Sequence, residues 1–367
     1  MLAPAQLAAR TLESSVAAAQ GKRPTMEDCH VRIDSLWRLM GSPAGIDRYP
    51  RAGFYAVYDG HGGRRAAEVA ASMLHSELTK RLFQLGPDAL LDEALVRDAL
   101  LDAFAATEAE VVARATARAD GQWEDGSTAC AVLILGNRLF AANLGDSRAV
   151  LSRAGTARAL TVDHKPGTEE EERRIHRAGG YVRLVGGIER VMGDLSVSRA
   201  FGDVEYKPNI VSPVPDVSVV PLGADDEFVI VACDGLWDVL SEQDAVDEAH
   251  RRFRSAPGAG LQAVADGLVN AALRRIDCDD NVSVVVVAFD ALVEGLRARA
   301  TGGGGGGVAR PAKLASAPPD AGGAPLRRAA GRRPSAGAAP AGAPPRAANP
   351  PPAVPRASPA GRREPRA

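Results

Sequence analysis

Cysteine is scarce in this 367-residue chain, and the four present lie far apart. Cys29, Cys130, Cys233 and Cys278 show no paired spacing of the zinc or redox kind. Three of them sit in or beside apolar runs, where Cys is usually a small core residue. No disulfide framework is expected, and a reducing compartment is, namely the cytoplasm, the nucleus or both. Long apolar runs are also missing. None reaches the about 18 residues of a membrane span, so no membrane is expected as a partner. Met1 to Glu13 has no long apolar core of the secretory kind. Acids are nearly absent from the C-terminal stretch. Residues 301–367 carry 11 Lys plus Arg against 2 acids, a net of +9. The whole chain has a net charge of −2, so the first 300 residues carry −11. An acidic body argues against nucleic acid as a partner. It suits a site that gathers carboxylates around divalent cations.

What is present divides into three stretches: a short N-terminal extension over 1–13, a globular domain over 14–299, and a basic tail over 300–367. In the domain, Ser14 to Ala19 and His30 to Ile33 read as strands, and Ser42 to Gly53 as a loop. Arg64 to Phe83 is helical by spacing, with Ala66, Val69, Ala70, Met73, Leu74, Leu78 and Leu82 recurring every three or four residues. Leu90 to Arg118 reads as a second helix. Asp125 to Leu160 breaks into short runs split at Gly136-Asn137, Gly145-Asp146 and Ala154-Gly155, the pattern of an antiparallel meander. Thr168 with Glu171, and Ser241 with Asp244, fit capping boxes. Tyr181 to Val185, bracketed by glycine pairs, is expected to be mobile. Phe228 to Cys233 and Val282 to Phe289 are further apolar strands, and Leu261 to Ile276 is an amphipathic helix. The tail begins near an unbroken Gly302 to Gly307 run. Its Ala, Pro, Gly and Arg cannot bury enough surface to offset ordering entropy, so disorder is expected.

The stretch that organises the domain is Phe54-Tyr55-Ala56-Val57-Tyr58-Asp59-Gly60-His61-Gly62-Gly63. A buried strand stops at an acid, a glycine and a histidine, a rigid base with open backbone beside it. A second strand ends in Asp234-Gly235, and a third begins after Asp280-Asn281. Glu27 and Asp28 precede another. If these strands share sheets, at least four acids converge at one edge. Carboxylates that close raise one another's pKa. Hard cations such as Mg²⁺ and Mn²⁺ relieve this with oxygen ligands. Two of them suit phosphoryl chemistry. Arg23, four residues before Glu27, is placed to clamp a phosphate.

These residues resemble a known family. Arg23-x-x-Met26-Glu27-Asp28, Asp59-Gly60-His61-Gly62-Gly63, Asp125-Gly126-Ser127-Thr128-Ala129 and Gly145-Asp146-Ser147-Arg148-Ala149 occur in that order. Asp163-His164-Lys165-Pro166, Ser198 to Asp203, Asp234-Gly235-Leu236-Trp237-Asp238 and Asp280-Asn281 follow. The chain looks like a metal-dependent serine/threonine protein phosphatase of type 2C, from about Ser14 to Phe289. The resemblance implies an α+β fold, a four-layer α-β-β-α sandwich of two antiparallel sheets flanked by helices. It implies two Mg²⁺ or Mn²⁺ ions per active site, bridged by Asp59. The Gly60 carbonyl joins one of them, Asp234 and Asp280 hold the other, and Glu27 acts through waters. Asp28 supports this shell, and Asp146 and Asp238 serve a weaker third ion. Arg23 binds the substrate phosphate, and His61 protonates the leaving oxygen. Phosphoproteins are the implied substrates, and a monomer is expected. The segment from Lys165 to Arg190 is the implied flap that shapes substrate choice.

A catalytically silent binding domain of the same fold is the competing reading. Such domains lose metal ligands, and here every expected acid is present. A cysteine-nucleophile phosphatase needs Arg six positions after Cys. Those positions are Ser35, Gly136, Val239 and Val284. For the tail, a solvated linker is the preferred reading and an acidic partner the alternative. Arg332-Arg333-Pro334-Ser335 also resembles a basophilic-kinase site. Deleting residues 301 to 367 is expected to leave the melting temperature of the remainder unchanged. Protection of that segment from proteolysis in the isolated protein is the contrary outcome.

Overall fold

The computed structural model describes residues 12–41, 49–117, 123–255, 260–289 and 292. Most of the N-terminal extension and the whole basic tail, Ser335 included, lie outside the described residues. The strands in chain order begin with β1 (Glu13–Ala19), β2 (Cys29–Ile33), β3 (Ala52–Tyr58), β4 (Gly60–His61) and β5 (Gly126–Ser127). They continue with β6 (Ala129–Leu135), β7 (Arg138–Leu144), β8 (Arg148–Arg153), β9 (Thr156–Ala159) and the pair β10 (Val182–Val185) and β11 (Ile188–Val191). The last are β12 (Phe201–Gly202), β13 (Asp216–Pro221), β14 (Asp226–Ala232) and β15 (Val282–Ala288). The helices are α1 (Arg65–Leu85), α2 (Glu93–Thr116), α3 (Glu169–Arg177), α4 (Asp234–Trp237), α5 (Glu242–Ser255) and α6 (Gln262–Leu273).

Side-chain alternation in β3 explains the layers. Phe54, Ala56 and Tyr58 point to one face and meet Leu74, Leu78 and Phe104 of α1 and α2. Tyr55 and Val57 point to the other face and meet Val229, Val231, Val285 and Val287 of the opposing sheet. A strand buried on both faces reads as a continuous apolar run, which is how this one reads. One sheet has the order β13-β7-β6-β3-β2, the other β1-β15-β14-β8-β9, and every pairing is antiparallel. α5 and α6 cover the second sheet's outer face through Phe253, Val264 and Leu268 against Phe228, Ile230 and Val286. The expected four-layer sandwich of helices, two antiparallel sheets and helices is therefore the observed one.

The meander expected over Asp125 to Leu160 is instead shared between both sheets. β6 and β7 pair in one, and β8 and β9 pair in the other. The Gly145-Asp146 turn is not a hairpin but the crossing between them. Gly145 has a φ of +108°, and a Cβ there would stand 2.6 Å from the Thr128 Cγ2. His164 holds the crossing, because its Nδ1 accepts from the Gly145 amide at 3.1 Å and its amide donates back to the Gly145 carbonyl at 2.9 Å.

Two local expectations are corrected. The second helical stretch is interrupted at Asp92, whose carboxylate caps α2 by accepting from the Ala94 amide at 2.8 Å. Thr168 and Glu171 form no capping box. The Thr168 hydroxyl donates to the Lys165 carbonyl. Glu171 turns inward to Arg199, Arg174 and the Ser198 hydroxyl, a stronger set of donors than one amide. Burial opposes its charge, but these partners prevail and lower its pKa to about 2. Tyr181 to Val185, expected to be mobile, contains β10, which pairs with β11 across Gly186-Gly187. Both turn glycines have positive φ, as a tight two-residue hairpin turn requires. At Ser241 and Asp244 the expected contact exists, with the Asp244 amide donating to the Ser241 hydroxyl at 3.1 Å.

Gly145→Ala is expected to cost about 2 kcal/mol or more, from the positive φ and the clash with Thr128. Thermal denaturation checks this, and an unchanged melting temperature contradicts it.

Candidate active site

Strand register brings the acids together. β2 runs against β3 with Cys29 opposite Tyr58, so Glu27 and Asp28 precede β2 where Asp59 follows β3. β14 runs against β15 with Ala232 opposite Val284, so Asp234 and Asp280 share the same end. Asp146 lies at the crossing beside them. Carboxylate oxygens of Asp59, Asp146 and Asp234 all lie within 4.8 Å of one another. The cavity they line has a volume of about 450 Å³ and also takes in Arg23, Glu27 and Asp280.

The charges here are uncomfortable. Burial, then Asp234, Asp28 and Asp146, push the Asp59 carboxyl well above the usual range. Burial and the Asp146, Asp238 and Asp280 charges push Asp234 up to about 8. Burial lifts Asp28 to about 6. Asp28 Oδ2 and Asp234 Oδ1 are buried with no hydrogen-bond partner. Buried orphan acceptors among like charges are costly, and a divalent cation with oxygen ligands satisfies both deficits. The residues present therefore fit metal ions.

Each expected residue has a definite place. Gly60 and His61 line the cavity beside Asp59. Arg23 meets Asp280 at 2.5 Å at the mouth, with its side chain 56% exposed. Asp28 is buried behind the cluster, its oxygen near those of Asp59 and the Cys233 sulfur. Asp238 does not line the cavity. It stands one helical turn after Asp234, its amide bonded to the Asp234 carbonyl at 2.8 Å. Burial, then Asp146 and Asp163, raise its pKa against the opposing pull of Lys165. Asp279, the additional acid beside Asp280, pairs with Lys22 in solvent. All four cysteines are free and buried.

Several residues at the site were not assigned roles by sequence reasoning. Asp203 accepts from His61 Nε2 at 2.9 and 3.1 Å, and its side chain is almost fully buried. Burial disfavours the His61 cation, yet the Asp203 charge prevails and the pKa is raised. Asn281 ties down the loop carrying Arg23 and Glu27. Its Oδ1 accepts from the Glu27 amide at 2.8 Å, and its Nδ2 donates to the Gln20 and Thr25 carbonyls. Asp125 holds the Arg65 guanidinium through two nitrogens beneath β4 and β5. Lys165 forms an ion pair with Asp146. Burial opposes the ammonium, but Asp146, with Asp234 and Asp238 behind it, raises its pKa. All of these except Arg65 and Asn281's role were visible as acids or bases inside the quoted motifs. Their partners lie far away in sequence, so the spacing carried no signal of the pairing.

Comparisons with known proteins agree with this geometry. The family model described as protein phosphatase 2C matches residues 12–282. The human integrin-linked kinase-associated serine/threonine phosphatase 2C is 39% identical over 292 residues, covering 75% of this chain and 72% of that protein. A probable protein phosphatase 2C 8 of Arabidopsis thaliana is 35% identical over 296 residues, covering 76% and 79% respectively. Among solved structures, a serine-threonine phosphatase 2C from Toxoplasma gondii aligns with a TM-score of 0.65 and 25% identity. The alignment spans 76% of this chain and 95% of that one. A sex-determining protein of C. elegans aligns with a TM-score of 0.69 at 27% identity, over 78% and 67%. The chain belongs to the protein phosphatase 2C family of metal-dependent serine/threonine protein phosphatases.

Proposed function

We propose that the chain hydrolyses phosphoserine and phosphothreonine in proteins with two Mg²⁺ or Mn²⁺ ions, acting as a monomer. The observation that supports this most strongly is the convergence of Asp59, Asp146 and Asp234 with buried, unpartnered oxygens beside them. Asp59, the Gly60 carbonyl, Asp234 and Asp280 would hold the two ions. Glu27 and Asp28 would support them, and Asp146 and Asp238 would serve a weaker third. Such cations, when bound, supply charge that acidifies water and neutralises phosphoryl oxygens.

The chain's own residues do the rest. Arg23 lines the cavity and contacts only Asp280 through its side chain among the described residues, so further donors of its fork can meet a phosphate. His61 Nε2 is engaged by Asp203, which leaves Nδ1 as the nitrogen that hands a proton to the departing seryl oxygen. Asp203 fixes the ring and favours its charged form. An alkoxide is a poor leaving group, so this proton transfer is worth about 10²–10⁴-fold.

Turnover of phosphopeptides is expected only with Mn²⁺ or Mg²⁺, and Asp59→Asn is expected to abolish it. In EDTA the same variant should melt above the wild type, by about 1 kcal/mol or more, because one buried like charge is gone. Undiminished activity in excess chelator overturns the two-metal reading. A lower melting point of the variant in EDTA overturns the account of the cluster.

The roles of His61 and Asp203 separate by leaving group. His61→Gln is expected to slow phosphoserine peptides about 10²-fold or more. It should affect p-nitrophenyl phosphate far less at saturating metal, because a phenolate leaves unaided. Asp203→Asn should follow the same pattern more weakly. Equal losses on both substrates would assign the proton to another donor.

A further inference from the structure

The hairpin β10–β11 has two unlike faces. Its pairs are Val182 with Val191, Arg183 with Arg190, Leu184 with Glu189, and Val185 with Ile188. Side chains alternate across a strand, and directly paired residues share a face. Val182, Val191, Leu184 and Glu189 therefore share one face. Val191 is buried with Ile175, Val197 and Val211, and Val182 packs on them. Val182 and Val191 of that face close the small core under the hairpin, while Leu184 near the turn is 66% exposed. The other face carries Arg183, Arg190, Val185 and Ile188, and is turned away from that core.

Arg190 on this outer face lines the catalytic cavity. Arg183 stands directly opposite it. Its Cδ passes 3.6 Å from the Cβ position of Gly193, in the turn leading to the cavity-lining Asp194 and Leu195. Two like charges opposed on one strand pair destabilise a hairpin. Among the described residues neither guanidinium forms an ion pair, and Arg190 donates only to the Asp194 carbonyl. Nearby, Arg174 and Arg199 hold Glu171 and Arg173 pairs with Glu169, while among the described residues Arg177 bonds only the Arg173 carbonyl. Further out on the same face, Val185 and Ile188 are 40% and 51% exposed. A pair of unneutralised guanidiniums beside the cavity, followed by exposed apolar side chains, is a strip for a ligand with complementary chemistry.

We infer that the outer face of β10–β11 selects phosphoprotein segments that carry a second anionic group, a carboxylate or another phosphoryl, beside the phosphoresidue, with an apolar residue beyond it. This rests on the phosphatase reading above. Arg183 and Arg190 form the anion subsite, and Arg183 is a specificity residue outside the reacting centre. A fork of guanidinium donors matches either anion.

Phosphoserine peptides of one backbone sequence, carrying alanine, aspartate, lysine or a second phosphoserine on either side of the phosphoserine, test this. Rates are measured with Mn²⁺ for the wild type, Arg183→Gln and Arg183→Glu. The wild type is expected to prefer the aspartate peptide to the alanine peptide about fivefold or more, through KM. Arg183→Gln should lose most of that preference while kcat, the alanine peptide and p-nitrophenyl phosphate stay unchanged. Arg183→Glu should favour the lysine-flanked peptide. A larger Arg183-dependent preference for the doubly phosphorylated peptide identifies a phosphoryl as the group read, and one no larger identifies a carboxylate. A wild type indifferent to flanking charge, or an Arg183→Gln variant that keeps the wild-type ratio, overturns the inference. Failure of the wild type to turn over even the alanine peptide and p-nitrophenyl phosphate with Mn²⁺ would instead overturn the phosphatase reading.

Discussion

Mutual repulsion among buried carboxylates is the constraint on which this structure depends. Strand register places Asp59, Asp146 and Asp234 within 4.8 Å of one another, and the sheets cannot keep their pairing and separate them. The chain supplies two tethered cations nearby. Lys165 reaches Asp146, and Arg23 reaches Asp280. Among the described residues no basic side chain forms an ion pair with Asp59 or Asp234. A lysine or arginine there would bring a long stem into a space shaped for small hard ions. The unanswered charge is of the kind that divalent cations with oxygen ligands relieve.

That constraint explains the effort visible around the site. Carboxylates that repel would splay if their loops were loose. Asn281 bonds three backbone groups of the segment 20–27, so Glu27 and Arg23 cannot drift from Asp280. Asp163, His164 and Lys165 are consecutive, yet each holds a different partner, namely Arg148, the Gly145 backbone and Asp146. The crossing between the sheets is thereby pinned from one short stretch. Such polar networks hold geometry when their members are satisfied, and Asp28 Oδ2 and Asp234 Oδ1 are among the buried atoms left without a partner.

The fold was legible because its signals are local. Alternation in Phe54 to Tyr58 and the three- to four-residue spacing in Ala66 to Leu82 are written in single stretches. Glu27, Asp59, Asp234 and Asp280 were legible as a set because each follows or precedes a strand. What stayed hidden depends on pairing across long sequence separations. Nothing near Gly145 distinguishes a hairpin from a crossing between sheets, since both use a glycine and a short polar residue. Asp203 lies 142 positions from His61, and Glu171 lies 28 from Arg199, so neither contact leaves a spacing signal. Thr168 and Glu171 matched a capping box by type and offset. The buried guanidinium of Arg199 won the carboxylate because a charged fork offers more than one backbone amide. The glycine pairs around Tyr181 suggested mobility. The second pair supplies the left-handed backbone that closes β10 onto β11, a hairpin that the glycines alone did not signal.

The segment that carries α3 and the hairpin β10–β11 is packed separately from the sheets. It has its own small core of Ile175, Val191, Val197, Ala200 and Val211, apart from the two cores that hold the sheets to their helices. Beneath it, Glu171 fixes Arg174, Arg199 and Ser198 into one buried ionic knot. The knot continues through Ser198 to the His164 carbonyl, and so to Lys165 and Asp146. On the hairpin's inner face Val182 and Val191 are constrained by this packing, and the outer face is not part of it. Side chains on the outer face can change without disturbing the core or the acids, because alternation along a strand isolates one face from the other. Away from Arg190, which lines the cavity, the outer face of the hairpin is therefore separated from the acids by the hairpin's own backbone.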